Sequence, residues 1–493
     1  MTIDINLLRE EKGGCPAKVE ESERRRGRDP SVVDKLVAAD KKWREATYNM
    51  EQGRKDLNAV NKEIGQRKKA DPKAPCDDLV SKTASIKQNL QSLEAQAAEA
   101  AQTRDRLLRG IGNLVHDSVP VSNDEANNKV VRTWGTPNRM VIDGTPGKLH
   151  HHEVLAKLQG VDFKKGVEVA GHRGYYLKGP AVMLNYALIQ YGLNFLMKKG
   201  YLPVQPPYFL RKSVMAAAAE LKDFEETLYR IPHDSTQHQQ QQQQQQQGKG
   251  KEGGNKGAAP QQEADRDDLF MIATSEQPLC ALHMHERLEE KQLPLRYAGT
   301  STCFRKEAGA HGKDCWGIFR VHQFEKIEQF CISSPETSWD MHEEMIAAAE
   351  EFYQSLEIPY RVVSIVSGAL NDAAAKKYDL EGWFPGYNDF RELVSCSNCT
   401  DYQAREFEIR LSPSKKEGPA AAGAAAAAAA ESKPFVHLLN ATLVATQRCI
   451  CCILENYQTP TGVRVPRALI PYMGGQEFLH FPSQPEDSSK REA

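Results

Sequence analysis

Five side chains between residues 301 and 330 could do chemistry together: Arg305, Glu307, His322, Phe324 and Glu328, within STCFRKEAGAHGKDCWGIFRVHQFEKIEQF. A guanidinium grips carboxylate or phosphate oxygens two at a time, and an aromatic ring offers a stacking face. Residues two apart on a strand share a face. Arg305 and Glu307 therefore point one way, and so do His322, Phe324 and Glu328. A half-buried strand does not carry several charges on one face unless they meet a ligand. A surface hairpin with a solvated charged face is the other reading of these residues alone.

Three more polar clusters follow the same logic. In Ile272-Ala273-Thr274-Ser275-Glu276-Gln277-Pro278, Thr274 and Glu276 share a face if the segment is a strand end. Phe390-Arg391-Glu392-Leu393-Val394-Ser395-Cys396-Ser397-Asn398-Cys399 is the next. In Leu438-Leu439-Asn440-Ala441-Thr442, Asn440 and Thr442 share a strand face, and a helix containing Arg448 follows. Each cluster by itself also has a turn or capping explanation.

The elements that must position these groups sit in a chain of 493 residues, which at ~150 residues per domain suggests about three domains. Net charge is −2, so any nucleic-acid contact must come from a local basic face and not from the whole field. No run of ~18 apolar residues exists to span a membrane. The start, MTIDINLLREEKGG, lacks a signal core and transit-peptide character, so the cytosol is expected. Eleven scattered cysteines suit a reducing compartment. Cys396 and Cys399 have the C-x-x-C spacing of half a zinc site, while Cys449, Cys451 and Cys452 read as one apolar helix, so no zinc is expected. His150-His151-His152 stands at the entry to a helical pattern, where a metal role is disfavoured.

Residues 31–115 repeat at seven. Leu36, Trp43, Met50, Leu57 and Ile64 recur, with Val32, Ala39, Ala46, Gly53 and Val60 beside them. After Asp71-Pro72-Lys73-Ala74-Pro75 the pattern resumes at Leu79, Ile86, Leu93, Ala100, Leu107 and Leu114, accompanied by Thr83, Leu90, Ala97, Arg104 and Ile111. Two such helices predict an antiparallel coiled-coil hairpin, an arm about 55–60 Å long. Gly53 and Arg104 are weak points in its seam. The first helix is rich in Lys and Arg, which fits either a solvated surface or a lever along a nucleic-acid backbone. The run at 183–199 reads as an amphipathic helix, and YLPVQPPYFL at 201–210 as an extended stretch. A Gln-rich insertion at about 233–265 and an Ala-rich one at about 413–433 cannot bury enough apolar surface to fold, and should loop out from a continuous domain.

FRKE, its loop and GIFRVHQFEKIEQF resemble motif 2 of the class II aminoacyl-tRNA synthetases, in the form found in the seryl-tRNA synthetase family. The order and spacing of all four clusters, with the hairpin ahead of them, resemble that family over almost the whole chain, in its cytosolic eukaryotic form. The resemblance implies an α+β fold: a seven- or six-stranded antiparallel sheet flanked by helices, with the N-terminal hairpin as the tRNA-binding arm. It divides the chain into an N-terminal domain at 1–118, a catalytic domain at 119–481 and a polar tail at 482–493. It implies a homodimer that joins serine to ATP and then to tRNA(Ser), with selenocysteine tRNA a further candidate.

The residue roles carry over by position. Arg305, Glu328 and Arg448 would be catalytic. Arg305 would bridge the α-phosphate and the serine carboxylate, and Arg448 would hold the far phosphates. Thr274 and Glu276 would take the serine ammonium, while Glu328, Asn440 and Thr442 would read the hydroxyl end. Phe324 would stack on adenine and Glu307 would accept from its amino group. Lys306, Val321, His322, Gln323, Leu393 and Val394 would complete the ATP pocket. Glu392 and Ser395 would hold Mg²⁺. Three other readings are a synthetase for threonine or proline, a non-catalytic relative and a coiled-coil scaffold. The hairpin, the retained Arg305, Glu307 and Arg448, and the length beyond the arm weigh against them in turn.

Overall fold

A computed structural model describes residues 2–219, 226–232, 268–307, 312–412 and 433–482. Nearly all of both predicted insertions, the tail beyond 482, and residues 308–311 of the loop after FRKE lie outside the described residues.

The chain opens with helix α1 (Pro16–Arg25) and then the arm, formed by α2 (Ser31–Ala70) and α3 (Asp77–Leu108). Every predicted seam position is buried or half-buried. Both weak points have a packing reason. A Cβ on Gly53 would stand 3.3 Å from the end carbons of Leu90 and Leu93, so glycine lets the helices approach. Arg104 lies over the Trp43 ring at 3.9 Å, a cation–π contact that pays for its place among apolar residues. The heptad reading overran the helix, however. α3 ends at Leu108, and Ile111 and Leu114 pack as an extended root, not as helix.

That root is stitched to the rest of the chain. Asn113 donates to the carbonyls of Ala373 and Cys399, each at 2.8 Å, and the Tyr402 hydroxyl donates to the Ile111 carbonyl. Arg26, just past α1, is 4% exposed and donates to backbone carbonyls on both sides of the junction.

The main sheet has eight strands. In chain order they are β1 (Lys129–Trp134), β2 (Leu202–Val204), β3 (Leu295–Phe304), β4 (Gln323–Ser333), β5 (Tyr360–Ser364), β6 (Lys376–Phe384), β7 (Asp389–Asn398) and β8 (His437–Ala445). Their order across the sheet is β1-β5-β6-β7-β8-β4-β3-β2. All pairings are antiparallel except β2 with β3, which is parallel. The six or seven strands expected thus become eight, by two edge strands. β2 was hidden in the Pro-rich stretch: a proline cannot donate to a ladder, but an edge strand tolerates one.

Helices α4 (His151–Lys157), α5 (Phe163–Ala170), α6 (Pro180–Lys198), α7 (Ser338–Ser355) and α8 (Thr446–Tyr457) complete the frame. α6, α7 and α8 share one large apolar core with the sheet, including Ile327, Phe352 and Ile450. The eleven cysteines are free thiols, eight of them buried in or beside the sheet and its helices from Cys280 onward. Burial raises the pKa of Cys280, Cys303, Cys396, Cys399, Cys449 and Cys452, and pushes Cys331 up to about 12.

Two predictions follow from packing. Gly53→Ala gains helix propensity worth up to ~1 kcal/mol, and the two leucine ends can give way, so arm amides should exchange more slowly; Gly53→Leu should part the helices and speed them. The second concerns His342, fully buried, with Nε2 3.0 Å from the Cys396 carbonyl, where burial lowers its pKa from 6.5 to about 4. Its stability contribution is intact above pH 6.5 and is lost as pH falls toward 4, because the unfolded chain takes the proton first. Urea titrations of His342→Asn should show about 2–3 kcal/mol less destabilisation between pH 7 and 4.5 than the parent.

Candidate active site

Three neighbouring strands form the floor of a cavity of about 370 Å³. On β4, the pleat presents Phe324, Lys326 and Glu328 to the cavity, while Ile327 and Cys331 enter the helix-covered core. On β8, Thr442 lies across from Glu328, and Asn440 across from Phe330. On β7, Glu392 and Ser395 are three apart, which in a regular strand would send them to opposite faces. Leu393 is the extra residue of a bulge: Glu392 pairs with Glu381 and Ser395 with Asp379, so both return to the cavity.

Glu328 is the buried anion of the site, at 2% exposure. Its Oε2 accepts from the hydroxyls of Thr274 and Ser275 (2.7 Å for Ser275) and from the Glu276 amide at 3.1 Å. Its Oε1 lies 3.0 Å from the Lys326 ammonium. Burial alone would push this carboxyl up, but Lys326 and the two hydroxyls hold it below the usual range, so it is ionised. Glu276 is held in turn by the Gln403 side-chain amide at 2.7 Å.

Arg305 follows the end of β3. Its Nε donates to the Ala273 carbonyl at 3.2 Å, and its guanidinium lies 5.2 Å from the Phe324 ring centre. Glu307 adopts left-handed backbone (φ 48°), uncommon outside glycine, and its carboxylate lies 3.5 Å from Arg320. Arg448, in the first turn of α8, donates to the Glu392 carbonyl and carboxylate at 3.2 and 3.3 Å and lies 4.9 Å from the Phe319 ring. About half of the Glu392 side chain is open. Against the desolvation of the cavity floor, Arg448, Lys377 and Arg305 hold its carboxyl down to about 2. The site therefore combines two fixed carboxylates with two guanidiniums and aromatic faces, an arrangement suited to a polyanion joined to a small zwitterion.

The predicted residues Thr274, Glu276, Arg305, Glu307, Val321, Phe324, Glu328, Glu392, Leu393, Ser395, Asn440, Thr442 and Arg448 all line this cavity. The side chains of Lys306, His322, Gln323 and Val394 do not. His322 precedes the regular part of β4, and its Nδ1 turns to the Arg305 carbonyl. Gln323 and Val394 fall on the other pleat from Phe324 and Ser395, Gln323 exposed and Val394 in the core. The Lys306 backbone amide donates to Thr227. Sequence reasoning passed over Lys326, Lys377, Phe319 and Gln447, which also line the cavity. Lys326 stands midway between Phe324 and Glu328, so the same period of two contained it. Lys377 is signalled by Lys377, Asp379 and Glu381 alternating on β6.

The histidine tract supports the site from behind. His151 is buried with its Nδ1 2.8 Å from Glu455 and its Nε2 3.1 Å from the Trp316 carbonyl, at the end of the loop after FRKE. The rings of His150 and His152 pack edge-on against Trp316. A second cavity of about 500 Å³ adjoins the first and shares Thr274, Glu276, Arg305, Ala369 and Asn371 with it.

Residues 2–115 match the seryl-tRNA synthetase N-terminal domain, and residues 260–457 match the tRNA synthetase class II core domain (G, H, P, S and T). A serine–tRNA ligase of Helianthus annuus is 50% identical, covering 97% of this chain and 98% of its own. A cytoplasmic serine–tRNA ligase of Arabidopsis thaliana is 49% identical, covering 98% and 97%. Among solved structures, cytoplasmic serine–tRNA ligase of Naegleria fowleri in complex with AMP superposes with a TM-score of 0.78 at 43% identity, covering 98% of this chain and 100% of that one. Seryl-tRNA synthetase of Pyrococcus horikoshii complexed with ATP gives 0.80 at 37% identity, with the same coverage. With its four polar clusters gathered in one cavity and this likeness along its length, the chain belongs to the seryl-tRNA synthetase family of class II aminoacyl-tRNA synthetases.

Proposed function

We propose that the protein is a serine–tRNA ligase of the cytoplasm that activates L-serine with ATP and transfers it to tRNA(Ser). The observation that carries the reading is one cavity in which ionised Glu328, with Thr274 and Glu276 beside it, stands near Arg305, and Glu392 near Arg448. Serine offers an ammonium, a carboxylate and a hydroxyl. Thr274 and Glu276 receive the ammonium, Arg305 the carboxylate, and Glu328, Asn440 and Thr442 the hydroxyl end. Alanine would leave these buried polar groups unpaired, and threonine would overfill the space.

ATP lies with adenine on Phe324, its amino group toward Glu307, the α-phosphate on Arg305 and the outer phosphates on Arg448. The serine carboxylate is already ionised, so the first step needs no base. Its oxygen attacks the α-phosphorus in line, the bond to the β-phosphate oxygen breaks, and pyrophosphate leaves. The terminal ribose hydroxyl of the tRNA then attacks the seryl carbonyl, and AMP departs. Glu392, kept anionic and open, and the Ser395 hydroxyl fit a hard cation, and when Mg²⁺ is bound there it supplies charge neutralisation for the phosphates. No group of three or more His, Cys, Asp or Glu among the described residues is arranged for a metal, so phosphates and water would supply its other ligands.

The division of labour is an N-terminal domain at 1–118 for tRNA and a catalytic domain at 119–481. On the arm, Arg44, Arg54 and Arg67 are already paired with acids. Exposed Lys41, Lys42, Lys55, Lys62 and Lys69 make no ion pair among the described residues and are the cations a phosphate backbone would meet. Met183 and Tyr186, exposed and about one turn apart on α6, offer an apolar patch suited to a second copy, which makes a homodimer. No helix among the described residues is long and apolar enough to cross a membrane.

ATP–pyrophosphate exchange should depend on serine and Mg²⁺, and Arg305→Ala should slow it by about 10²–10³-fold; exchange driven by threonine or proline would overturn the assignment. Removing the whole of 31–115 would also remove Asn113 and the root, so the informative deletion is narrower. Cutting 47–96 and closing the stump with a short Gly-Ser turn should spare exchange and abolish tRNA charging at physiological salt. Charging at the parental rate would mean that Lys55, Lys62 and Lys69 are merely solvated.

A further inference from the structure

Arg26 is a buried cation with an unusual set of partners. Its Nε and Nη2 donate to the Asn113 carbonyl at 3.1 and 2.8 Å. Nη2 also reaches the Ala374 carbonyl at 2.8 Å, and Nη1 reaches those of Asn371 at 3.1 Å and Leu370 at 3.4 Å. One guanidinium thus holds four main-chain carbonyls, three of them from the loop at 367–375 and one from the root of the arm. A buried charge is an expensive way to gain stability, and apolar packing of the same volume serves as well. Its advantage is geometric. Three carbonyl dipoles turned toward one point repel one another unless a cation sits there, so Arg26 offsets that repulsion and favours this shape of the loop.

The loop is part of the site. Ala369 and Asn371 line the first cavity, and 368–371 line the second. Of the residues assigned to substrates, the second cavity contains only Thr274, Glu276 and Arg305, the serine end. The loop therefore walls the serine end, and the second cavity that it lines most fully does not include Phe324, Glu392 or Arg448. The same loop is tied to the root a second time, through the Asn113 amide to the Asp372 carbonyl and through Arg28 to the Asp372 carboxylate.

We infer that Arg26 is a positioning residue for amino-acid binding: from the root of the arm it sets the 367–375 loop, and with it the Ala369–Asn371 wall beside Thr274 and Glu276. The inference rests on the assignment of that end of the cavity to serine.

The test is pyrophosphate exchange by the full-length protein, with KM measured separately for serine and ATP and thermal midpoints recorded. Arg26→Lys, which keeps the charge but cannot span the carbonyls, should raise the serine KM about tenfold and leave the ATP KM within about twofold. Leu196→Val, a cut in the buried face of α6, should lower the midpoint and leave both KM values at the parental level. Asp372→Asn, milder and at the loop itself, should raise the serine KM less and in the same direction, and it decides the matter if Arg26→Lys does not fold. Thr274→Ala checks the underlying assignment. If Thr274→Ala raises the serine KM and neither loop-tie variant does, the inference is overturned while the assignment stands. A parallel rise in both KM values also overturns it, since that is general loosening. If Thr274→Ala leaves the serine KM unchanged, the assignment fails and takes the inference with it.

Discussion

Everything in the site is arranged around an ionised carboxylate that has almost no water. Glu328 sits on a central strand, 2% exposed, and its charge is sustained by Lys326, two hydroxyls and a backbone amide. Losing one partner of such a buried pair typically costs about 3–5 kcal/mol. The network does more than hold the charge. Thr274, Ser275 and Glu276 belong to a segment that follows a long insertion, and Glu328 pins all three against the sheet. The insertion can then vary in length without moving the residues that come after it.

The other half of the site is organised by cations. Arg305, Arg448 and Lys377 converge on Glu392 from just past β3, from α8 and from β6, and that convergence keeps Glu392 deprotonated while half of its side chain stays open. Aromatic rings lie beside both guanidiniums. His151 and Glu455 form a second buried pair, which joins α4, α8 and the backbone at Trp316 and Gly386. The pieces that must meet at the cavity are thus tied by charges at its floor and again behind it.

Much of this was legible in the chain because it obeys simple periods. The heptads marked the arm, and the alternation along 323–333 put Phe324 and Glu328 on one face. What stayed hidden breaks a period. Glu392 and Ser395 share a face only because Leu393 is bulged out, and spacing alone would have separated them. Leu114 continues the heptad in sequence, but the helix stops at Leu108, so the junction with the catalytic domain looked like coiled coil. Lys326 fitted the period and was overlooked because a lysine there reads as solvated surface, whereas Glu328 makes it a core residue. The edge strand at Leu202–Val204 was masked by its proline. The partners of Arg26 are main-chain carbonyls, which leave no mark in a sequence at all.

The cysteines have a consequence of a different kind. Eight thiols are shut inside the catalytic half, with Cys449, Cys451 and Cys452 in a single helix, and burial keeps Cys280, Cys331 and Cys396 protonated. A thiol reacts as thiolate and only where reagent can reach it. Cys15 is exposed and Cys315 half-exposed, so these two would take up an alkylating agent on the native protein. The eight in the catalytic half can be modified only when the sheet and its helices come apart. The enzyme thus carries its own recorder of opening, in which the slow phase of thiol labelling counts excursions of the catalytic core while the arm, whose one cysteine lies at its tip, keeps separate time.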